Sequence, residues 1–249
     1  MTPQNPPSFI ILADLRKAAF DHGYRLEQGL SEGWFKFTST TAKGALWLGA
    51  AANTGPFYLA LDHPAVAAIL PPSMTAGPGL TRQTYPTLTA LYQTLAQIYT
   101  LAATLPDDPV AAFEAATQNL PTTTEAERLT IRRIGQDIFR DRLMTHWNAR
   151  CPLTGITDAA LLRASHIKPW KDCTSTAERL DVFNGLLLSA LWDAAFDKGL
   201  VSFDIHGAPI FSPHLSSVAR SALHWTDPIP LSPKHCDQMI WHRDVEFKA

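Results

Sequence analysis

Apolar positions recur along this chain with two different periods, and the change of period marks its elements. In ADLRKAAFDHGY, Leu15, Ala18 and Ala19, with His22 at the rim, share one face at helical spacing before Gly23 stops the pattern. Three runs rich in aromatic and β-branched residues follow, GWFKFTSTT, GALWLGAAA and PFYLALD. Gly, Asn and Pro separate them, which predicts a small antiparallel sheet. Pro64 opens a short helix in PAVAAIL, and PPSMTAGPG interrupts regular structure. Helical spacing returns over 87–103, with Leu88, Leu91, Leu95, Ile98 and Leu101 on the side expected to be buried, and again in DPVAAFEAATQNL.

The stretch NLPTTTEAERL reads as a linker that runs into a helix start. Thr124 and Glu127 form a T-x-x-E capping box, and the helix continues through RIGQDIFRDRLMTHW. Beyond it, Leu161 to His166 has the composition of a strand, and Pro169 ends regular structure. A polar loop, KDCTSTAERLD, leads to a second strand, Gly185 to Ser189. A helix from Ala190 to Lys198 follows, closed by Gly199. LVSFDIHGAPIFS predicts a hairpin turning at His206 and Gly207. The expected class is α+β, with an N-terminal mixed α/β domain over 1–121 holding the small antiparallel sheet and a second domain over 122–249.

Composition narrows the function. At 249 residues, 46% hydrophobic and 18% charged, the chain can bury substantial cores and is not of disordered type. No uninterrupted run of about 18 apolar residues suggests a membrane span, and the N-terminus lacks the pattern of a secretory signal. Three widely spaced cysteines, Cys151, Cys173 and Cys236, suit reduced thiols in a cytoplasm and offer no CxxC pair for a zinc ribbon. The net charge of −2 hides a local excess. Between Arg128 and Lys171 stand nine basic residues against three acidic ones, a stretch that either docks a polyanion or forms a solvated helix face.

The second half also arranges chemistry-bearing residues in a telling order. A histidine, His166, ends one strand; an asparagine, Asn184, opens the next; acids follow on the helix. Neutral imidazole suits activation of water at physiological pH. Carboxylates suit a hard divalent cation at a scissile phosphate. Asp193 and Asp197 are four apart, so a helix places them one turn apart on the same side.

These motifs, ASHIKPW, RLDVFNGLLLS and LWDAAFDKGLVSFD, together resemble the HNH endonuclease family, the ββα-metal nucleases, and most closely its restriction-type branch. The resemblance spans about 124–211 and implies a C-terminal ββα-metal nuclease domain that cuts double-stranded DNA. It implies His166 as general base, Asn184 as brace of the metal loop and Asp193 as metal ligand, with Asp197 supporting. Mg²⁺ or Mn²⁺ is the expected ion, with Co²⁺ and Ni²⁺ as further candidates. Arg163, Lys168, Arg132, Arg133 and Arg140 are the cations expected to meet phosphates. In this sequence the third motif position is Asp193 where relatives often carry His or Asn, and Ser165 precedes the base where several relatives carry an acidic ligand. Cys151 in CPLTG stands where zinc-ribbon relatives have a CxxC, with Thr154 in the second cysteine's place, and reads as buried packing.

A nuclease core of this size carries little sequence information, so the N-terminal half is expected to read a DNA sequence or a modified base. Its Trp34, Phe35, Phe37, Trp47 and Tyr58 either stack on a base or form an ordinary sheet core. Cleavage of both strands with one site per chain suggests a homodimer. Two other readings stay open: a non-cutting DNA-binding or regulatory module on the same scaffold, and a nuclease effector activated by a ligand.

Overall fold

A computed structural model of the chain describes residues 1–71, 76–105, 107–121 and 124–249. Part of the PPSMTAGPG break and part of the expected linker lie outside the described residues. The chain divides into two compact units, 1–105 and 106–249. This division lies ahead of the boundary expected at 121/122, because the helix of DPVAAFEAATQNL packs on helices of the second unit.

The first unit is built on a five-stranded antiparallel sheet. Helix α1 (Phe9–Asp21) precedes strands β1 (Leu26–Ser31), β2 (Trp34–Thr38), β3 (Leu46–Ala50) and β4 (Phe57–Leu61). Then come a single turn α2 (Pro64–Ala67), strand β5 (Thr81–Tyr85) and helix α3 (Leu88–Thr104). Strand order follows chain order, β1-β2-β3-β4-β5. The Ser8 and Thr87 hydroxyls cap α1 and α3 by accepting from the backbone N–H of Ile11 and Ala90.

The predicted sheet missed its two outer strands. All six residues of β1, LEQGLS, are exposed, and TRQTY of β5 buries only Thr81. Edge strands of this kind show no apolar alternation to read. The apolar stripe of α3 runs through Leu91, Leu95, Ile98 and Ala102, and the expected Leu88 and Leu101 are only half-buried. The aromatic residues divide between structural settings. Phe35 and Phe37 are buried core residues, whereas Trp34 and Tyr58 cluster with Ala60, packed by Trp47 and Met1.

The second unit has smaller sheets. Helices α4 (Asp107–Thr117) and α5 (Glu125–His146) come first, and the Thr124–Glu127 capping box of α5 is formed. Strand β6 (Leu162–His166) follows, then a short helix α6 (Thr176–Leu180), strand β7 (Gly185–Ser189) and helix α7 (Ala190–Asp197). A hairpin of β8 (Val201–Phe203) and β9 (Pro209–Phe211) comes next, then α8 (Ser217–Ala222) and α9 (Pro233–Val245). Sequence periodicity missed α6, α8 and α9; each begins at a serine cap, at Ser175, Ser216 and Ser232.

Strands β6 and β7 form a two-stranded antiparallel ribbon whose last pair joins His166 to Gly185. All five residues of β7 are buried, because helix packs on both faces of the ribbon: α5 on one, α7 on the other. Each of its three central leucines contributes about 2 kcal/mol of burial. Two strands followed by a crossing helix make up the expected ββα core, within a mixed α and β architecture.

Candidate active site

The site forms where the ribbon's last residue pair meets the loop between its strands. Successive residues of a strand face opposite sides, and Ser165 and His166 show the consequence. The Ser165 hydroxyl donates to Oδ1 of Asp193 on α7. The His166 ring lies on the α5 side, stacked on Phe139 with centroids 3.8 Å apart and planes 17° from parallel. Trp170 meets the ring edge-on at 5.9 Å and 84°.

His166 Nε2 lies 2.8 Å from the carbonyl oxygen of Arg179. A carbonyl only accepts, so Nε2 carries the proton and Nδ1 holds the lone pair. Nδ1 has no hydrogen-bond partner among the described residues, nor is it among the buried, unsatisfied atoms. Burial pushes the His166 pKa down to about 4, against the opposing pull of the Arg179 carbonyl, so the ring is neutral near pH 7. Arg179 is itself anchored: its guanidinium donates to the carbonyls of Trp170 (3.1 Å) and Cys173 (2.9 Å) and lies over the Trp170 ring.

Asn184 is fully buried beneath this loop. Its Oδ1 accepts from the Lys168 backbone N–H at 2.8 Å. Its Nδ2 donates to the carbonyls of Lys168 (3.1 Å) and Glu178 (3.2 Å) and lies 3.3 Å from the Cys173 sulfur. One side chain thus ties both ends of the loop after β6 and satisfies backbone groups that burial would otherwise leave unpaired. Cys151 and Cys173 are buried, and all three cysteines are free thiols.

The two acids occupy successive turns of α7. Asp193 keeps its second carboxylate oxygen free of hydrogen bonds among the described residues. The carboxyl of Asp197, although the residue as a whole is exposed, is held above its ordinary pKa by desolvation first and by the negative charge of Asp193 second. Among the described residues no group of three or more His, Cys, Asp or Glu is gathered to hold a metal. The candidate donors are the Asp193 and Asp197 carboxylates and the Ser165 hydroxyl, on the α7 side of the ribbon, whereas the His166 ring lies on its α5 side. That set is too small for four-coordinate structural zinc. It fits an ion such as Mg²⁺, which uses one or two carboxylates and takes its other ligands from water and substrate phosphate.

The expected cations serve several ends. Arg140 donates to the carbonyls of Leu162 (2.8 Å) and Ala159 (2.7 Å), stitching α5 to the start of β6. Arg163 donates to the Ala160 and Leu162 carbonyls. Lys168 is paired with Glu178 at 2.7 Å. Arg132 and Arg133 are exposed on α5, and no hydrogen bond or ion pair engages them among the described residues. His242 is turned into the core, stacked on Phe196 at 4.0 Å with Nδ1 3.0 Å from the Ser202 hydroxyl. Phe139 and Arg179 were not singled out from sequence. A core-facing phenylalanine and an arginine on a short helix carry no distinguishing local signal.

A search of curated proteins gives no match. Residues 151–204 match the family model described as HNH endonuclease, an interval holding β6, the braced loop, β7 and α7. By that match and by this geometry, the ribbon–loop–helix segment of the second unit is a member of the HNH endonuclease family.

Proposed function

We propose that this protein is a metal-dependent DNA endonuclease of restriction or defence type that hydrolyses phosphodiester bonds. One observation carries the reading: a neutral His166 whose Nε2–H is committed to a backbone carbonyl and whose Nδ1 has no hydrogen-bond partner among the described residues. In this reading Nδ1 takes the proton of the attacking water. An incoming phosphate anion raises the ring's pKa from its buried value, which strengthens the base when substrate is in place. Asn184, bonded to the neighbouring Glu178 carbonyl, holds the Arg179 segment in register. Asp193 would hold the divalent ion, Mg²⁺ or Mn²⁺, with Asp197 in support. When bound, that ion supplies Lewis-acid charge at the phosphate and the leaving oxygen. Arg132 and Arg133 are the cations open to the DNA backbone.

The first unit is assigned to reading DNA. The support is a cavity of about 430 Å³ on its sheet, lined by Trp34, Trp47 and Lys36 among others, with room for a planar base. A homodimer acting in the cytoplasm completes the proposal, since a double-strand cut needs two such sites.

Plasmid digestion with Mg²⁺, Mn²⁺, Co²⁺ and Ni²⁺, on modified and unmodified DNA, tests it. Metal-dependent nicking is expected, with a loss of about 100-fold or more in His166→Ala and loss of metal-dependent cutting in Asp193→Ala. Plasmid left intact under every condition would instead favour a non-cutting DNA-binding module.

A further inference from the structure

We propose that Phe139 is a positioning residue that sets the plane of the His166 ring, and that Gly185 is the notch that admits it. The inference rests on the reading of His166 as general base. The hydrogen bond from Nε2 to the Arg179 carbonyl fixes one atom of the imidazole but leaves the ring free to tilt about that bond. The stack on Phe139, at 3.8 Å and 17°, removes this remaining freedom. Trp170, edge-on to the same ring, closes a further side. Hydrogen bond, floor and wall together leave Nδ1 as the ring's unengaged polar atom, and they fix the direction in which it points.

Gly185 is what makes the floor fit. It pairs with His166 across the ribbon, so a side chain there would project on the same face as the ring. A Cβ at 185 would come within 2.4 Å of Phe139 Cζ and 2.9 Å of Leu143 Cδ1, so any larger residue displaces Phe139 from beneath the histidine. Phe139 is 1% exposed and comes from α5, which places the floor on a different element from the strand that carries the base. A reacting group misplaced by about 1 Å can lose on the order of 100-fold in rate. Orientation is therefore the property at stake.

Ordinary core packing makes a different prediction, and three variants separate the two. Phe139→Leu keeps apolar bulk but removes the flat face. Gly185→Ala keeps Phe139 but pushes it aside. Leu143→Ala perturbs the same notch without touching the ring, and controls for lost stability. The readouts are kcat and KM for DNA cleavage and the ¹⁵N spectrum of the His166 imidazole in the full-length protein. Expected in wild type is one sharp tautomer, with Nε2 protonated and Nδ1 bare. Phe139→Leu and Gly185→Ala should lower kcat tenfold or more at little change in KM and shift or broaden the imidazole signals, whereas Leu143→Ala should do neither. If Phe139→Leu and Gly185→Ala keep kcat within twofold and leave the spectrum sharp and unshifted, the proposal is overturned. If either variant fails to fold, the other carries the same decision. If wild type does not cut DNA but its imidazole spectrum changes in these variants and not in Leu143→Ala, the positioning stands while the nuclease reading fails.

Discussion

The two units hold themselves together by different means. The first relies on a five-stranded backbone ladder and a core of Phe35, Phe37, Leu46, Leu48, Leu59 and Leu61, all nearly fully buried. Among the described residues, the second has only two-stranded ribbons. It compensates with side chains that reach across long stretches of chain to backbone carbonyls: Asn184, Arg140, Arg179, Trp192 to His224 and Arg243 to Phe203. It also buries His235 and His242, and half-buries His146 and His166, among aromatic rings. A large sheet needs few polar fixtures. A small ribbon needs many, and those fixtures also place the His166 ring and its loop with definite geometry.

Acid is expected to show this difference most strongly. Burial lowers the pKa of His146, His166 and His242 to about 4 and that of His235 to about 3. The unfolded chain takes up protons near pH 6.5 that the folded unit refuses, so its stability falls as pH drops from about 6.5 toward 4. Asp181 and Asp197, raised mainly by desolvation, act in the opposite sense and offset part of the loss. Each tenfold difference in proton affinity between the folded and unfolded chain is worth about 1.4 kcal/mol, so the loss from the four histidines accumulates across that window. Hydrogen exchange at pH 7 and pH 5 should show protection falling more in 125–249 than in the strands of the first unit. Equal losses in the two units would break the contrast.

Next in size is the polar lacing itself. Asn184→Leu leaves the N–H and C=O of Lys168 and the C=O of Glu178 without their partner. The expected cost is about 4 kcal/mol by urea denaturation. In the first unit a comparable loss takes a core truncation such as Leu48→Ala, at about 3 kcal/mol. A cost below about 1 kcal/mol for Asn184→Leu would show that the ribbon is held by its leucines alone. The smallest effect belongs to the surface of the first unit. Arg16 meets Glu27 through two hydrogen bonds, at 2.9 and 3.0 Å, but both side chains are exposed. Arg16→Ala should cost about 0.5 kcal/mol and lose even that in high salt.

Much of this organisation is written locally. The capping box of Thr124 and Glu127, the strands ending at His166 and Ser189, the helix over Asp193 and Asp197, and the hairpin at His206 and Gly207 all follow from short-range patterns. So does the order of histidine, asparagine and acid that carries the family resemblance. Periods, caps and turns act over a few residues, so they survive in the linear sequence. The outer strands β1 and β5 were not legible, because an exposed edge has no apolar alternation to leave behind.

The sequence by itself therefore determined the ribbon and helix of the second unit and the positions of His166, Asn184, Asp193 and Asp197 along them. Only the tertiary structure decided what each is free to do. Arg140, Arg163 and Lys168 look alike as cations, yet the first two are bound to carbonyls and the third to Glu178, while Arg132 and Arg133 are exposed. The protonated nitrogen of His166 is set by a carbonyl from α6, and its plane by a ring from α5. Those partners meet only when α5, the ribbon and the loop pack together. Side-chain protonation and aim depend on desolvation and on donors brought in from distant parts of the chain, and no local pattern encodes either.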